Sequence, residues 1–166
     1  GGVDSASSEA RDIVGTWGSG DVKVQFTRTF TNDDGFVNDP KRDPYDQGTD
    51  PGYDKNVAKC MATLVSPEEI RISVLNGYPL YTCRFWAKVY NSGCRTLRRA
   101  APAISAPTAL SVWETDPWST PNLNPWEYRW SGFAVRLEQA AGPRSTYPFM
   151  IQLRFTEAAG ASAGCW

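Results

Sequence analysis

The chain has 166 residues, of which 41% are hydrophobic and 13% aromatic, and its formal net charge is −1. This length suits one domain with a sizeable core, and this composition excludes a mainly disordered chain. The near-zero charge argues against a nucleic-acid partner, because phosphate binding needs a basic face. No apolar run approaches the about 18 residues that suggest a membrane span, so none is expected.

Residues 1–14 (GGVDSASSEARDIV) are small and polar, and we interpret them as an arm that precedes a single domain of residues 15–166. They do not form a signal peptide, so secretion would imply that the signal has been removed. A frayed terminus is the default interpretation of such a segment. The alternative is a donor strand, and the apolar residues available for it are Val3, Ala6, Ala10, Ile13 and Val14.

Alternation of apolar and polar residues predicts a series of half-buried strands. In the first, residues 21–31, Val22, Val24 and Phe26 share one face. Residues 95–111 resist assignment, because Pro102 interrupts any helix there. The remaining predicted strands occupy residues 57–65, 69–75, 81–90, 112–114, part of 126–139, and 147–156. Seven or eight strands with Pro/Gly turns and no long helix predict an all-β fold, a β-sandwich or jelly roll with long loops.

Residues 32–55 form an acidic, proline-rich loop in which neither a helix nor a sheet ladder is expected. Calcium takes about six to eight oxygen ligands, and Gly35 would permit a tight turn around an ion. The spacing does not match an EF-hand. A solvated acidic loop is the alternative, so no cofactor is required and calcium is the one candidate. Its candidate ligands are Asn32, Asp33, Asp34, Asn38, Asp39, Asp43, Asp46 and Asp50.

Four cysteines without a CxxC motif are compatible with two disulfides in an oxidising compartment, and four reduced thiols are the alternative. Cys60 and Cys83 lie on predicted strands separated by one other strand, which suits a bridge between sheets. Cys94 with Cys165 would then hold the C-terminal tail, although the sequence leaves three pairings open. We expect an extracellular or cell-surface protein.

Four of the seven tryptophans lie near the proline-rich residues 116–125: Trp113, Trp118, Trp126 and Trp130. Packing in the core or in a subunit interface is the first interpretation, because Trp is enriched at interfaces. Stacking on sugar rings is the second. It makes a secreted carbohydrate-binding module the alternative function, with contacts to cell-surface or matrix polysaccharide.

The absence of histidine limits the chemistry available to this chain. Ser-His-Asp and Cys-His sites, histidine general bases and HExxH zinc sites are excluded within it. Carboxylate pairs, lysine and tyrosine remain, and no spacing arranges them into a site. We therefore expect no catalytic residues and no enzymatic activity.

Four segments follow one pattern of strands and turns: GDVKVQFTRTFTNDDGFVNDP, YDKNVAKC, ISVLNGYPLYTCRFWAKVYNSG and EYRWSGFAVRLEQAAGPRSTYPFMIQLRF. Together they resemble the secreted TasA/camelysin-like family of fibre-forming proteins, whose members are exported through a dedicated signal peptidase. The last segment is similar to the final hairpin of the family. The resemblance covers about residues 15–157. It concerns strands and turns rather than catalytic residues, and the segment 94–125 is longer and more basic than the family pattern.

The resemblance implies a jelly-roll sandwich that polymerises into matrix fibres or bundling pili, in which the N-terminal arm of one subunit completes a sheet of the next. A sandwich that lacks one strand exposes unpaired N–H and C=O groups, which a donated strand would satisfy. Repetition of a head-to-tail contact generates an open filament. We therefore expect a structural subunit of an extracellular filament, whose partners are identical subunits.

Overall fold

The computed structural model describes residues 11–33, 58–138 and 146–158. Within these ranges the chain is all-β and contains no helix, as predicted. Ten strands are present rather than seven or eight: β1 (Arg11–Gly18), β2 (Val24–Thr31), β3 (Lys59–Ser66), β4 (Glu69–Gly77), β5 (Thr82–Asn91), β6 (Leu97–Ser105), β7 (Leu110–Glu114), β8 (Asn122–Leu123), β9 (Tyr128–Leu137) and β10 (Thr146–Glu157).

The strands form two sheets. Sheet A has the order β3-β4-β1-β10-β6-β8, and sheet B has the order β2-β5-β9-β7. All described strand pairs are antiparallel except β1 with β10, which run parallel. The inner faces of both sheets supply the buried apolar core, so the two-sheet β-sandwich is confirmed. The finer assignment as a jelly roll stays a prediction.

Strand β1 lies in the middle of sheet A, between β4 and β10. Its residues Ile13 and Trp17 are fully buried in the core. The Trp17 ring packs against three phenylalanines of sheet B, with centroid distances of 5.2 Å to Phe26, 5.7 Å to Phe85 and 5.1 Å to Phe133. The arm boundary expected between residues 14 and 15 falls inside this strand. Residues 11–14 therefore belong to the domain's own sheet.

The contact between β1 and β10 depends on a glycine. Gly15 is the register partner of Phe149 on β10. A Cβ atom at Gly15 would overlap the Phe149 ring, which lies over the β1 backbone at this point. A larger residue would displace the ring, so Gly15 provides the space that the Phe149 side chain occupies.

Strand β2 departs from the predicted alternation at both ends. It begins at Val24, so Val22 lies in the preceding turn and is 67% exposed rather than buried. The register against β5 shifts between Phe26 and Arg28, as at a β-bulge. A bulge reverses which residues face the core, so Thr31 is buried and Phe30 lies on the outer face.

Strand β6 occupies the segment that resisted prediction. Six of its nine residues are exposed, and four of these six are alanine or serine. Its register against β10 shifts between Gln152 and Arg154, opposite the stretch that contains Pro102. Proline lacks the N–H that a regular ladder needs, and a bulge tolerates it. The proline that argued against a helix is therefore compatible with a strand here.

A disulfide joins Cys60 of β3 to Cys83 of β5, with a Cα–Cα distance of 6.1 Å. Because β3 belongs to sheet A and β5 to sheet B, this confirms the predicted bridge between sheets. Cys94 is also disulfide-bonded. Its predicted partner Cys165 lies outside the described residues.

Replacing Ile13 by alanine should lower the free energy of unfolding by about 2–5 kcal/mol, because a fully buried side chain would leave a cavity. Val14→Ala is the matched control on the same strand. Its side chain is 40% exposed, so its loss should stay near about 0.5 kcal/mol. Denaturant unfolding measures both values. Equal and small losses would show that β1 is not part of the core.

Replacing both Cys60 and Cys83 by alanine should cost about 2–4 kcal/mol, because the bridge restricts the unfolded chain. The dependence of unfolding free energy on denaturant concentration should become steeper, since the unfolded chain would expose more surface. Chemical denaturation gives both quantities, and an unchanged midpoint would contradict the prediction.

Candidate functional site

Two of the five predicted donor residues lie in the part of the chain that the structure describes. Ile13 lies in the core, and Val14 faces solvent on the outer side of sheet A. Val3, Ala6 and Ala10 lie outside the described residues. The part of the predicted donor that the structure describes, residues 11–14, is therefore the first half of strand β1.

The turn that joins β1 to β2 consists of residues 19–23. Gly20 has a φ of 83°, in the left-handed region that favours glycine. The Ser19 N–H donates a hydrogen bond to the Glu68 carbonyl at 2.9 Å, and the Ser19 hydroxyl donates to the Asp21 carbonyl at 3.1 Å. The Lys23 N–H donates to Asp21 Oδ1 at 2.8 Å, and the Lys23 carbonyl accepts from the Ser92 N–H and hydroxyl, each at 2.8 Å. A short, hydrogen-bonded turn thus connects β1 to the rest of the sandwich.

Two of the candidate calcium ligands are described, and both have structural roles. Asn32 Oδ1 accepts a hydrogen bond from the Arg84 N–H at 3.1 Å, and Asp33 Oδ2 accepts one from the Cys60 N–H at 2.7 Å. They tie the end of β2 to β5 and β3. The described ranges contain no group of three or more acidic or cysteine side chains that could hold a metal.

The remaining candidate ligands lie outside the described residues: Asp34, Asn38, Asp39, Asp43, Asp46 and Asp50. The calcium site therefore stays a prediction.

The outer face of sheet B carries a series of large aromatic side chains, which we call the aromatic strip. Its members are Phe30, Trp86, Tyr90, Trp113, Tyr128 and Trp130. Trp113 of β7 lies opposite Ala134 of β9. Ala134 is six residues from Tyr128 along β9, and Tyr128 lies near the other end of the strip. At about 3.4 Å per residue the strip is roughly 20 Å long. Tyr128 is 52% exposed, Trp130 37% and Trp113 36%.

The centre of the strip is held by ring contacts. Phe30 stacks on Trp86 at a centroid distance of 5.1 Å and meets Trp130 edge-on at 5.6 Å. The Trp86 indole N–H donates a hydrogen bond to Asp116 Oδ2 at 2.7 Å. A Cβ at Gly132 would lie 2.7 Å from Trp86 Cδ1 and 2.6 Å from Asp116 Oδ2, so glycine permits this approach.

Basic side chains alternate with the aromatic ones on this face. The Lys88 ammonium lies 3.7 Å from the centroid of the Tyr128 ring, and the Arg136 guanidinium lies 5.6 Å from that of Trp113. Both distances suit cation–π contacts. Arg28 and Arg84 also face outward, and no carboxylate of the described residues forms an ion pair with either.

The four tryptophans singled out from the sequence do not form one cluster. Trp113 and Trp130 belong to the strip, whereas Trp126 lies beyond its end, 68% exposed and beside Tyr90. Trp118 packs against the core, and its indole N–H donates to the Trp130 carbonyl at 3.1 Å. An open hollow of about 400 Å³ lies beside Trp118 and Trp130.

Sequence reasoning missed four members of the strip as surface residues: Phe30, Trp86, Tyr90 and Tyr128. The signal for Trp86 was present in residues 81–90, because the positions between the buried residues hold Arg84, Trp86, Lys88 and Tyr90. An ordinary solvent-facing series would be mainly polar. Phe30 had no such signal, since the β2 bulge alone turns it outward.

No family model matches this chain, and neither a curated protein nor a solved structure gives a significant match. The described residues contain no helix long and apolar enough to cross a membrane. The geometry defines a disulfide-bridged, all-β sandwich with an aromatic and basic outer face on sheet B.

At one end of this face, Glu138 lies beside Ser111 and Arg136. The Ser111 hydroxyl donates a hydrogen bond to Glu138 Oε2, and the Arg136 guanidinium lies 3.2 Å from the same oxygen. The Ser111 hydrogen bond is the main cause that lowers the pKa of Glu138; desolvation opposes it and Arg136 adds to it. The ionised carboxylate therefore stabilises the fold above the unfolded-state pKa, and this contribution is lost as pH falls through the folded-state pKa.

Ser111→Ala should raise the pKa of Glu138, because the carboxylate loses its strongest hydrogen-bond donor. NMR titration of the Glu138 side-chain carbon measures the change. Ser111→Thr retains the hydroxyl and should keep the pKa low. An equal pKa in the wild type and the alanine variant would refute the role assigned to Ser111.

Proposed function

We propose that this protein is a structural subunit of an extracellular filament, in which subunits join head-to-tail by exchanging strand β1. The observation that carries the proposal is the placement of β1. It is the first described strand, it fills the centre of sheet A, and it makes the one parallel pairing among the described strands. Residues 19–23 join it to the sandwich.

Exchange would conserve most of the stabilising contacts. A β1 strand from a neighbouring subunit would bury the same Ile13 and Trp17 side chains and pair with the same two strands. The contacts given up are those of the turn, which include the hydrogen bonds of Ser19, Asp21 and Lys23. Strand addition of this kind provides affinity through main-chain hydrogen bonds and specificity through side-chain pockets.

Exchange in one direction produces a filament. A subunit that donates β1 leaves its own place between β4 and β10 open, and the next subunit fills it. Such a heterologous contact continues without closure, whereas reciprocal exchange would stop at a dimer. The resemblance of residues 15–157 to the TasA/camelysin-like family favours the filament.

An extracellular location is part of this proposal. The Cys60–Cys83 bridge is of the kind that persists in oxidising compartments. No catalytic function is proposed, since the chain lacks histidine and no described side chains form a catalytic arrangement.

A pair of cysteines across β1 and β10 tests the exchange. Thr16 and Met150 are register partners, and both line an open groove on the outer face of sheet A. The variant carrying Thr16→Cys and Met150→Cys should assemble and then be oxidised. A ladder of covalent multimers on a non-reducing denaturing gel is expected, because each new bond would join two subunits.

The matched control is Thr63→Cys with Arg71→Cys, a register pair on β3 and β4, which are not exchanged. Oxidation of this variant should give covalent monomers only. Negative-stain microscopy must show filaments in both preparations. If filaments form but oxidation of the Thr16→Cys/Met150→Cys variant yields only covalent monomers, strand exchange is refuted. If microscopy shows only single particles in both preparations, the filament is refuted.

A further inference from the structure

We infer that the aromatic strip of sheet B binds an extended, carboxylated polysaccharide. The inference concerns the outer face of sheet B and does not depend on the exchange of β1, which takes place within sheet A. It assigns a ligand class to a surface that lies outside the core and takes no part in the strand exchange.

The first argument is the exposure of large aromatic groups. The solvent-facing side of an antiparallel sheet is normally polar. Here Tyr128, Trp130 and Trp113 leave between about a third and a half of their surface in water. Contiguous exposed apolar surface of this kind marks binding sites. The apolar C–H face of a pyranose ring packs well on an indole or phenol ring and keeps its hydroxyls in water.

The second argument is the shape of the surface. The strip is roughly 20 Å long in the direction of β9, because Tyr128 and the residue opposite Trp113 are six residues apart on that strand. It is therefore longer than one sugar ring. An extended polymer fits such a surface, whereas a single small molecule would leave most of it uncovered.

The third argument is charge. The chain as a whole carries a net charge of −1, yet Arg28, Arg84, Lys88 and Arg136 all face outward here. Arg28 and Arg84 have no ion-pair partner among the described carboxylates. These cations lie between the aromatic groups, so a ligand that stacks on the strip would meet them at intervals. Complementarity favours a polymer with repeated carboxylates.

The fourth argument is the hollow beside Trp130, which offers directed polar groups. Asp116 uses Oδ2 for the Trp86 indole, which leaves Oδ1 to accept a sugar hydroxyl. Arg129 is oriented by the carbonyl and hydroxyl of Thr120, each at 2.7 Å, and borders the same hollow. Few, well-placed polar groups beside an aromatic wall are typical of ligand sites.

Single-stranded nucleic acid also combines base stacking with anionic charge. Its higher charge density suits a more basic groove than this face, where Asp116 and Glu138 lie among the cations. We therefore favour the polysaccharide, and the experiment includes nucleic acid as a competing ligand.

Isothermal titration of the full chain with polygalacturonate tests the inference. Methyl-esterified polygalacturonate is the matched ligand, because it keeps the sugar backbone and removes the charge. Polygalacturonate should bind at least about tenfold more tightly than either the ester or oligothymidylate, and its affinity should fall as salt rises. Absence of binding, equal affinity for the ester, or tighter binding of oligothymidylate would each overturn the inference.

Variants locate the site. Trp130→Ala and Tyr128→Ala should each weaken binding by about tenfold or more, as is usual for a central aromatic contact. Tyr128 is the more informative of the two, because its ring contributes little to the core. Arg84→Gln should weaken binding and reduce its salt dependence.

The matched controls lie on the outer face of sheet A: Met150→Ala for exposed apolar surface and Arg71→Gln for charge. Both should bind as the wild type does. Unchanged affinity in Tyr128→Ala, or equal losses in the controls, would overturn the assignment. If the chain binds polygalacturonate but forms no filaments, the proposed filament is refuted and the polysaccharide inference stands.

Discussion

The fold depends on the placement of β1 in the middle of sheet A with Trp17 facing sheet B. Without this strand, sheet A would separate into β3-β4 on one side and β10-β6-β8 on the other. Trp17 contacts phenylalanines on three different strands of sheet B, so the same residue also joins the two layers. Gly15 permits the close contact with Phe149. The most central strand therefore comes from the start of the described chain.

Two local features then determine what sheet B presents to solvent. The bulge in β2 places Thr31 in the core and Phe30 on the outer face, where it contacts Trp86 and Trp130. Gly132 leaves the space in which Trp86 reaches Asp116. Because these contacts fix Phe30, Trp86 and Trp130, the centre of the aromatic strip would lose little side-chain entropy on binding.

The two proposals use different parts of the sandwich, and together they have a physical consequence. A filament of identical subunits would repeat the aromatic strip along its length. One long polymer could then bind several subunits of the same filament. After the first subunit binds, each further binding event is intramolecular, and the spacing of the subunits sets its effective concentration. Modest affinity in a single chain is compatible with firm attachment of a filament to a matrix polysaccharide.

Features that arise from local pattern could be predicted from the sequence alone. Alternation in residues 81–90 and 147–156 predicted β5 and β10, and the spacing of Cys60 and Cys83 suited the bridge that the structure contains. Period-two burial is a property of each strand alone, so it can be inferred along the chain. Part of the aromatic strip could also have been predicted, since Trp86 and Tyr90 lie between buried residues of β5.

The neighbours of each strand could not be inferred from the sequence, because they depend on pairing between distant segments. Residues 11–14 were assigned to an arm outside the domain, yet they belong to a core strand because β4 and β10 lie on either side of them. Strand β6 was not predicted because Pro102 is tolerated there by a bulge in the ladder to β10, which the sequence does not reveal. Pairing between distant segments sets register and bulges, and these decide which face each side chain occupies.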